Sequence, residues 1–136
     1  MRIAVGTDET TAVTESVIAH LRDRGHDVTV VAGGEAWPEV GRAVGAAVAG
    51  GSVERGVVCC WTGTGVSIAA NKVPGVRAAL CTDAETARGA RAWNDANVLA
   101  LGLRLMSEAL AAEVVAAFLA GAPDGTEADN IAALPD

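Results

Sequence analysis

The sequence predicts an α/β fold, in which a single Rossmann-like domain has a five-stranded parallel sheet with helices on both faces. Short apolar runs alternate five times with segments that carry apolar residues at helical spacing. The apolar runs are hydrophobic at nearly every position rather than at every second one, which is typical of strands buried in a parallel sheet. A chain of 136 residues is long enough for one such domain with its own core.

The predicted strands are short and rich in β-branched or small apolar residues. In chain order they are RIAV (2–5), DVTVVA (27–32), RGVVCC (55–60), RAALC (77–81) and NVLAL (97–101). Successive strand residues point to opposite faces of a sheet, so Cys59 and Cys60 should lie on different faces.

A helical pattern follows each strand. In the first helix, Val13, Val17, Ile18 and Leu21 recur at helical spacing between residues 10 and 24, and a glycine follows. Pro38 suits the first turn of the second helix, because its missing N–H would have no partner there. The remaining helices are predicted from VSIAANK (66–72), from residues 83 to 92, and from a Ser107 cap to about residue 119.

Residues 1–120 are expected to form this domain, and residues 121–136 to form a C-terminal tail or dimer arm, since they are acidic and rich in Gly and Pro. The formal charge of −7 argues against nucleic-acid and anionic-membrane partners, which require a basic surface. The sequence has no apolar run long enough to span a bilayer and no signal-peptide pattern after Met1. Three cysteines, two of them adjacent, make a poor disulfide framework, so a cytoplasmic location is expected.

In a parallel α/β sheet, ligands bind outside the carboxyl ends of the strands. The WTGTGVS loop after the third strand leaves the N–H groups of Gly63, Thr64 and Gly65 free at a helix start. This loop is either an ordinary tight turn or an anion-binding nest. Dinucleotide binding fits poorly because the third fingerprint glycine is missing, and no Walker motif occurs.

Cys60 lies directly before this loop, where the helix N-terminus would favour a thiolate. The alternative is an inert packing cysteine, and Cys81 is expected to remain in the core. His20 and His26 are predicted to be exposed residues away from the strand ends. No metal-ligand spacing is present, and we expect neither a metal nor another cofactor.

Several polar and aromatic residues fall in the loops. Asp8, Glu9 and Asp83 follow predicted strands and could bind sugar hydroxyls, although Asp8 is equally suited to a turn or cap. The three tryptophans, Trp37, Trp61 and Trp93, lie in or beside predicted loops. They are interpreted either as the lining of one sugar-binding pocket or as three separately packed anchors.

The stretches CWTGTGVSIAANKVPGVRAALCTD (60–83) and WNDANVLALGLR (93–104) resemble the ribose-5-phosphate isomerase B and galactose-6-phosphate isomerase family. The family pattern is close to CGTGxGxSIAANKxxGxRAAxCxD followed by HNDANVLxLGxR. The opening RIAVGTDE and the Trp-Pro at 37–38 are similar to further family features, so the resemblance extends to about residue 120.

The resemblance implies aldose–ketose isomerisation through a cis-enediolate, without a cofactor, in a homodimer or dimer of dimers whose active sites are shared between subunits. It implies that Cys60 is the base and that Thr62 is its partner hydroxyl. The substrate-binding set implied by the resemblance and the loop positions is Asp8, Glu9, Trp37, Trp61, Gly63, Thr64, Gly65, Ser67, Trp93 and Asn94. The Gly63–Gly65 amides would hold the developing oxyanion.

The chain departs from the family on the phosphate and ring-opening side, where the resemblance implies a phosphate-holding histidine at Glu9 and a ring-opening histidine at Trp93. Glu9 and Trp93 replace two family histidines, and residues 105–136 contain no Arg or Lys. We therefore expect a non-standard substrate, such as an unphosphorylated or open-chain sugar, a uronate or a small hydroxy-carbonyl compound. The alternatives are a true sugar-phosphate isomerase that uses Arg42, Arg88 or Arg91, and an inactive ligand-binding module.

Overall fold

The computed structural model describes residues 1–136 and contains a five-stranded, all-parallel sheet, which confirms the predicted fold class. The strands are β1 (Arg2–Thr7), β2 (Asp27–Gly33), β3 (Arg55–Cys60), β4 (Ala78–Leu80) and β5 (Val98–Gly102). Their order is β2-β1-β3-β5-β4, so β3 is central and β2 and β4 form the edges.

Six helices connect or follow the strands. They are α1 (Ala12–Asp23), α2 (Trp37–Ala49), α3 (Thr64–Asn71), α4 (Ala84–Asn94), α5 (Glu108–Ala120) and α6 (Ala128–Ala132). The predicted cap at Ser107 is present, since its side chain accepts a hydrogen bond from the Leu110 N–H. Asp83 caps α4 in the same way, which gives it a structural role.

The helices cover both faces of the sheet. One face packs against α1, α4 and α5, around residues such as Val5, Leu99 and Phe118. The other face packs against α2 and α3, around residues such as Val44 and Val58. No helix is long and apolar enough to cross a membrane.

The edge strand β4 is shorter than predicted, because the Arg77 N–H bonds to the Asn97 side-chain oxygen (2.8 Å) at its start. The Asn71 side-chain amide forms hydrogen bonds with both backbone groups of Ala78. It accepts from the Ala78 N–H (2.8 Å) and donates to the Ala78 carbonyl oxygen (2.9 Å). Asn71 therefore occupies backbone groups that a further strand would otherwise use.

The C-terminal segment 121–136 packs against its own chain and contains α6, which the sequence pattern did not predict. The Asp124 N–H donates to the carbonyl oxygen of Ala92 (3.1 Å), at the end of α4. Ile131 and Leu134 line a small cavity together with residues that follow α3. The tail therefore lies along the amino-terminal edge of the sheet.

Candidate active site

The carboxyl ends of β1, β3 and β5 lie side by side and place Cys60 at the centre of this edge. Thr7 pairs with Cys59, and Cys60 pairs with Gly102. The Asp8 N–H donates to the Cys59 carbonyl oxygen (3.3 Å), and the Leu103 N–H donates to the Cys60 carbonyl oxygen (2.9 Å). The sheet thus brings the loop after β1 next to Cys60.

The adjacent cysteines occupy opposite faces of the sheet, as the strand alternation predicted. Cys59 is fully buried in the cluster formed with α1, α4 and α5, whereas Cys60 belongs to the cluster formed with α2 and α3. Burial, together with the nearby Cys60 and Asp8, raises the pKa of Cys59 to about 12. Burial and Asp83 raise the pKa of Cys81 to about 11. Cys59 and Cys81 are therefore packing residues.

The loop after β3 leaves an open N-terminus on α3. Gly63 adopts a left-handed conformation (φ 76°), and no side chain caps the helix. The N–H groups at the first turn are thus available to an anionic ligand. The Thr62 and Thr64 hydroxyl oxygens are 2.7 Å apart, and the Ser67 N–H closes the turn onto the Gly63 carbonyl oxygen (3.2 Å). This geometry fits the predicted nest.

Two of the three tryptophans lie at this edge. The Trp37 ring packs directly on Gly65, because a methyl group at Gly65 would lie 2.8 Å from Cδ2 of the indole. Trp37 is 44% exposed and Trp61 is 59% exposed. Both therefore present indole surface beside the nest.

Asp8 carries an unsatisfied atom at the site. Its Oδ1 is buried and has no hydrogen-bond partner. Desolvation by burial raises the pKa of the Asp8 carboxyl, and the neighbouring Glu9 carboxylate raises it further by a smaller amount. The Thr7 hydroxyl fixes this loop by donating to the Glu9 carbonyl oxygen (2.6 Å). A buried acceptor without a partner is suited to a hydroxyl donor from a ligand.

Trp93 and Asn94 lie at the end of α4 and line a groove with β4 rather than with Cys60, so one chain does not bring all three tryptophans together. Helix α4 starts after β4 and ends just before β5, and Asp95 bonds to Arg77 at the start of β4. The five residues of β5 separate the end of α4 from Cys60 by about 16 Å. The single-pocket interpretation of the tryptophans is wrong within one chain.

The histidines also lie outside the site, and their predicted exposure is wrong. Both are partly buried near the ends of α1 and α5. The His20 Nε2 is buried without a partner, and the His26 Nδ1 lies 3.1 Å from the Met1 amino group.

The three arginines suggested as phosphate ligands already have partners. Arg42 pairs with Glu39, and Arg88 pairs with Glu85. Arg91 is buried and donates hydrogen bonds to the Asp95 carboxylate and to the carbonyl oxygens of Ala96 and Gly121. Its guanidinium group also lies over the ring of Phe118. Arg91 is therefore committed to internal partners, whereas Arg42 and Arg88 are held only by exposed ion pairs on their own helices.

The sequence interpretation missed Arg104, which follows β5 at the carboxyl edge. Its N–H donates to the Trp61 carbonyl oxygen (2.8 Å), and its exposed side chain has no hydrogen bond or ion pair. The final arginine of the LGxR pattern was the available signal. Arg104 is thus an unpaired cation beside Trp61.

Alkylation with iodoacetamide at mild pH is expected to modify Cys60 before Cys59 and Cys81, since the latter two thiols are fully buried and have raised pKa values. Peptide mapping after partial reaction measures the order of labelling, and the denatured chain serves as the control in which all three react. Labelling of Cys81 first would contradict the assignment of Cys60 as the reactive thiol.

Comparisons with known proteins agree with this geometry. The sequence model of the family described as ribose/galactose isomerase matches residues 3–133. The chain is 39% identical to ribose-5-phosphate isomerase B of Escherichia coli (strain K12), over 91% of this chain and 87% of that protein. It is 38% identical to D-erythrulose-4-phosphate isomerase of Pectobacterium atrosepticum, over 88% of this chain and 82% of that protein.

A solved structure of Clostridium thermocellum ribose-5-phosphate isomerase B superposes with a TM-score of 0.90 at 38% identity. The superposition covers 97% of this chain and 93% of that one. The similarity thus extends over nearly the whole chain.

Proposed function

The chain belongs to the ribose/galactose isomerase family of sugar isomerases, and from this premise we propose that it interconverts an aldose and a ketose with Cys60 as the base. The observation that carries the proposal is the position of Cys60 at the carboxyl edge, directly before an uncapped helix N-terminus. Asp8 and Thr62 flank it on neighbouring loops.

The proposed reaction is a proton transfer between adjacent carbons. The Cys60 thiolate removes the proton from the carbon next to the carbonyl group, and the electron pair forms the double bond of a cis-enediolate. The N–H groups of Gly63–Gly65 donate to the developing oxyanion, which is where preorganised donors lower the barrier most. Cys60 then returns the proton to the neighbouring carbon, and the hydroxyl proton passes to the former carbonyl oxygen, so that the carbonyl group has moved by one carbon. The unpartnered Asp8 Oδ1 accepts a hydrogen bond from a substrate hydroxyl.

The proposed substrate is not a standard pentose phosphate. Glu9 adds a carboxylate beside Asp8, and like charge at the lip of the site opposes a phosphate dianion. Residues 105–136 contain no cation. The lead candidates are therefore unphosphorylated or open-chain sugars and small hydroxy-carbonyl compounds.

Arg104 favours a second candidate function, the isomerisation of a sugar phosphate. Its unpaired guanidinium lies beside Trp61 and would complement an anionic group on the substrate. One relative is named D-erythrulose-4-phosphate isomerase, which supports a short phosphorylated ketose as a candidate for this chain.

A substrate panel separates these candidates. We expect kcat/KM for unphosphorylated or uronic sugars to exceed that for ribose 5-phosphate and allose 6-phosphate. Efficient turnover of either phosphate, inhibited by inorganic phosphate, would contradict the lead and support the second candidate.

In that case Arg104→Ala should raise KM about tenfold or more, since charged hydrogen bonds contribute about 1.5–3 kcal/mol, whereas Arg88→Ala should not. Binding without turnover of any compound would indicate an inactive ligand-binding module.

We also propose that two copies form each active site, because Trp93 and Asn94 cannot reach Cys60 of their own chain. Sedimentation at micromolar concentration should show at least two chains per particle. Cys60→Ala and Asn94→Ala chains should each be inactive, but their mixture should regain about a quarter of the parent activity, because half of the random dimers carry one intact site. A monomer, or a mixture without recovery, would contradict the shared site.

A further inference from the structure

Trp93 is an exposed side chain held in one position by two neighbours. Gly89 lies one turn earlier on α4, and a methyl group there would lie 2.7 Å from Cζ3 of the indole. The ring therefore rests on the Gly89 backbone, while 52% of the residue remains exposed. An indole seated in this way presents a fixed apolar surface at the amino edge of the sheet.

The turn of the C-terminal tail bonds to the residue before Trp93. The Asp124 N–H donates to the Ala92 carbonyl oxygen (3.1 Å), and the Asp124 carboxylate accepts from the Thr126 hydroxyl (2.6 Å) and N–H (2.9 Å). These two Thr126 hydrogen bonds, with a smaller contribution from the Trp93 indole N–H, lower the pKa of the Asp124 carboxyl. The tail turn is thus tied to the end of α4, one residue before Trp93.

We propose that Trp93 is a specificity-determining residue that makes this isomerase selective for substrates that cannot close into a sugar ring, and that Gly89 and Asp124 are its positioning residues. The proposal rests on the proposed function and on the shared site, in which Trp93 of one copy faces the Cys60 cleft of the other.

The physical reason has two parts. An indole has a single N–H donor and does not take up or release a proton near neutral pH, so it cannot protonate a ring oxygen as an imidazole can. An indole is also larger than an imidazole, so in the shared site it would leave less room for a closed ring. A four-carbon aldose whose O4 is esterified or absent avoids both obstacles, because the oxygen that would close the ring is blocked.

Two pairs of compounds test the proposal, one neutral and one phosphorylated. The neutral pair is 4-deoxy-D-erythrose, which cannot close a furanose ring, and D-erythrose, which can. The phosphorylated pair is D-erythrose 4-phosphate and D-ribose 5-phosphate. For whichever pair is turned over, the parent should prefer the compound that cannot close by about tenfold or more in kcat/KM.

Trp93→His should reduce this preference about tenfold by raising kcat/KM for the cyclising compound. Gly89→Ala and Asp124→Ala, which unseat the indole, should reduce the same preference. Trp93→Phe should retain it, and the control Glu113→Ala, an exposed change on the neighbouring helix α5, should leave every parameter unchanged.

The outcomes separate the two proposals. Isomerase activity with an unchanged preference in Trp93→His would overturn the specificity role and leave Cys60 chemistry intact. An equal loss of kcat for both compounds, together with a lower melting temperature, would show a purely structural role and also overturn it. Failure of the parent to turn over any of the four compounds, with no binding by Cys60→Ala, would overturn the proposed function and this inference with it.

Discussion

Replacing Cys60 with alanine is expected to lower kcat about 10²–10⁴-fold, which is the usual contribution of a positioned general base. Cys60→Ser should be almost as inactive, because a serine hydroxyl is a far weaker acid than a thiol and supplies little anion at neutral pH. Cys60 is 5% exposed and small, so the alanine variant should remain folded. Steady-state kinetics and thermal unfolding measure the two effects separately.

Cys59→Ala is the matched control for this experiment. It makes the same change one residue away, on the same strand, but on the face that packs against α1, α4 and α5. It should lower stability by about 1–2 kcal/mol through lost packing and leave kcat close to that of the parent. Full activity of Cys60→Ala, or loss of activity only in Cys59→Ala, would end the assignment of Cys60 as the base.

Gly63→Ala is expected to produce the largest loss of stability among the loop substitutions. The residue has φ 76°, and a methyl group there would lie 2.5 Å from Cδ1 of Leu80 and 2.8 Å from the Gly102 backbone nitrogen. Left-handed backbone costs about 1–2 kcal/mol for alanine, and overpacking adds about 1–3 kcal/mol. The nest must also shift, and loss of one oxyanion donor typically lowers kcat about 10²–10³-fold.

Gly75→Ala isolates the backbone contribution. Gly75 has a similar φ of 83°, but nothing lies within 4 Å of a methyl group there. Its free energy of unfolding should therefore fall by only about 1–2 kcal/mol, and kcat should not change. Chemical denaturation of both variants gives the comparison. Equal destabilisation of the two would contradict the close packing of Gly63 against β4 and β5.

The alternation of strands and helices was readable because it depends on short-range periodicity. The five parallel strands, the opposite faces of Cys59 and Cys60 and the Ser107 cap all follow from spacings of one to four residues. The same alternation also predicts where Trp93 lies, because a helix that connects two parallel strands ends near the start of the second strand. The prediction of one tryptophan-lined pocket did not use this constraint.

The sequence by itself determined the fold class, the order of elements and the candidate base, because apolar periodicity and turn residues act locally. Only the tertiary structure decided how distant residues meet. It paired Arg42, Arg88 and Arg91, left Arg104 free beside Trp61, and left the Asp8 Oδ1 buried without a partner. Such contacts depend on which strands are neighbours and on how side chains fill the space between helices, and local sequence patterns do not encode these non-local distances.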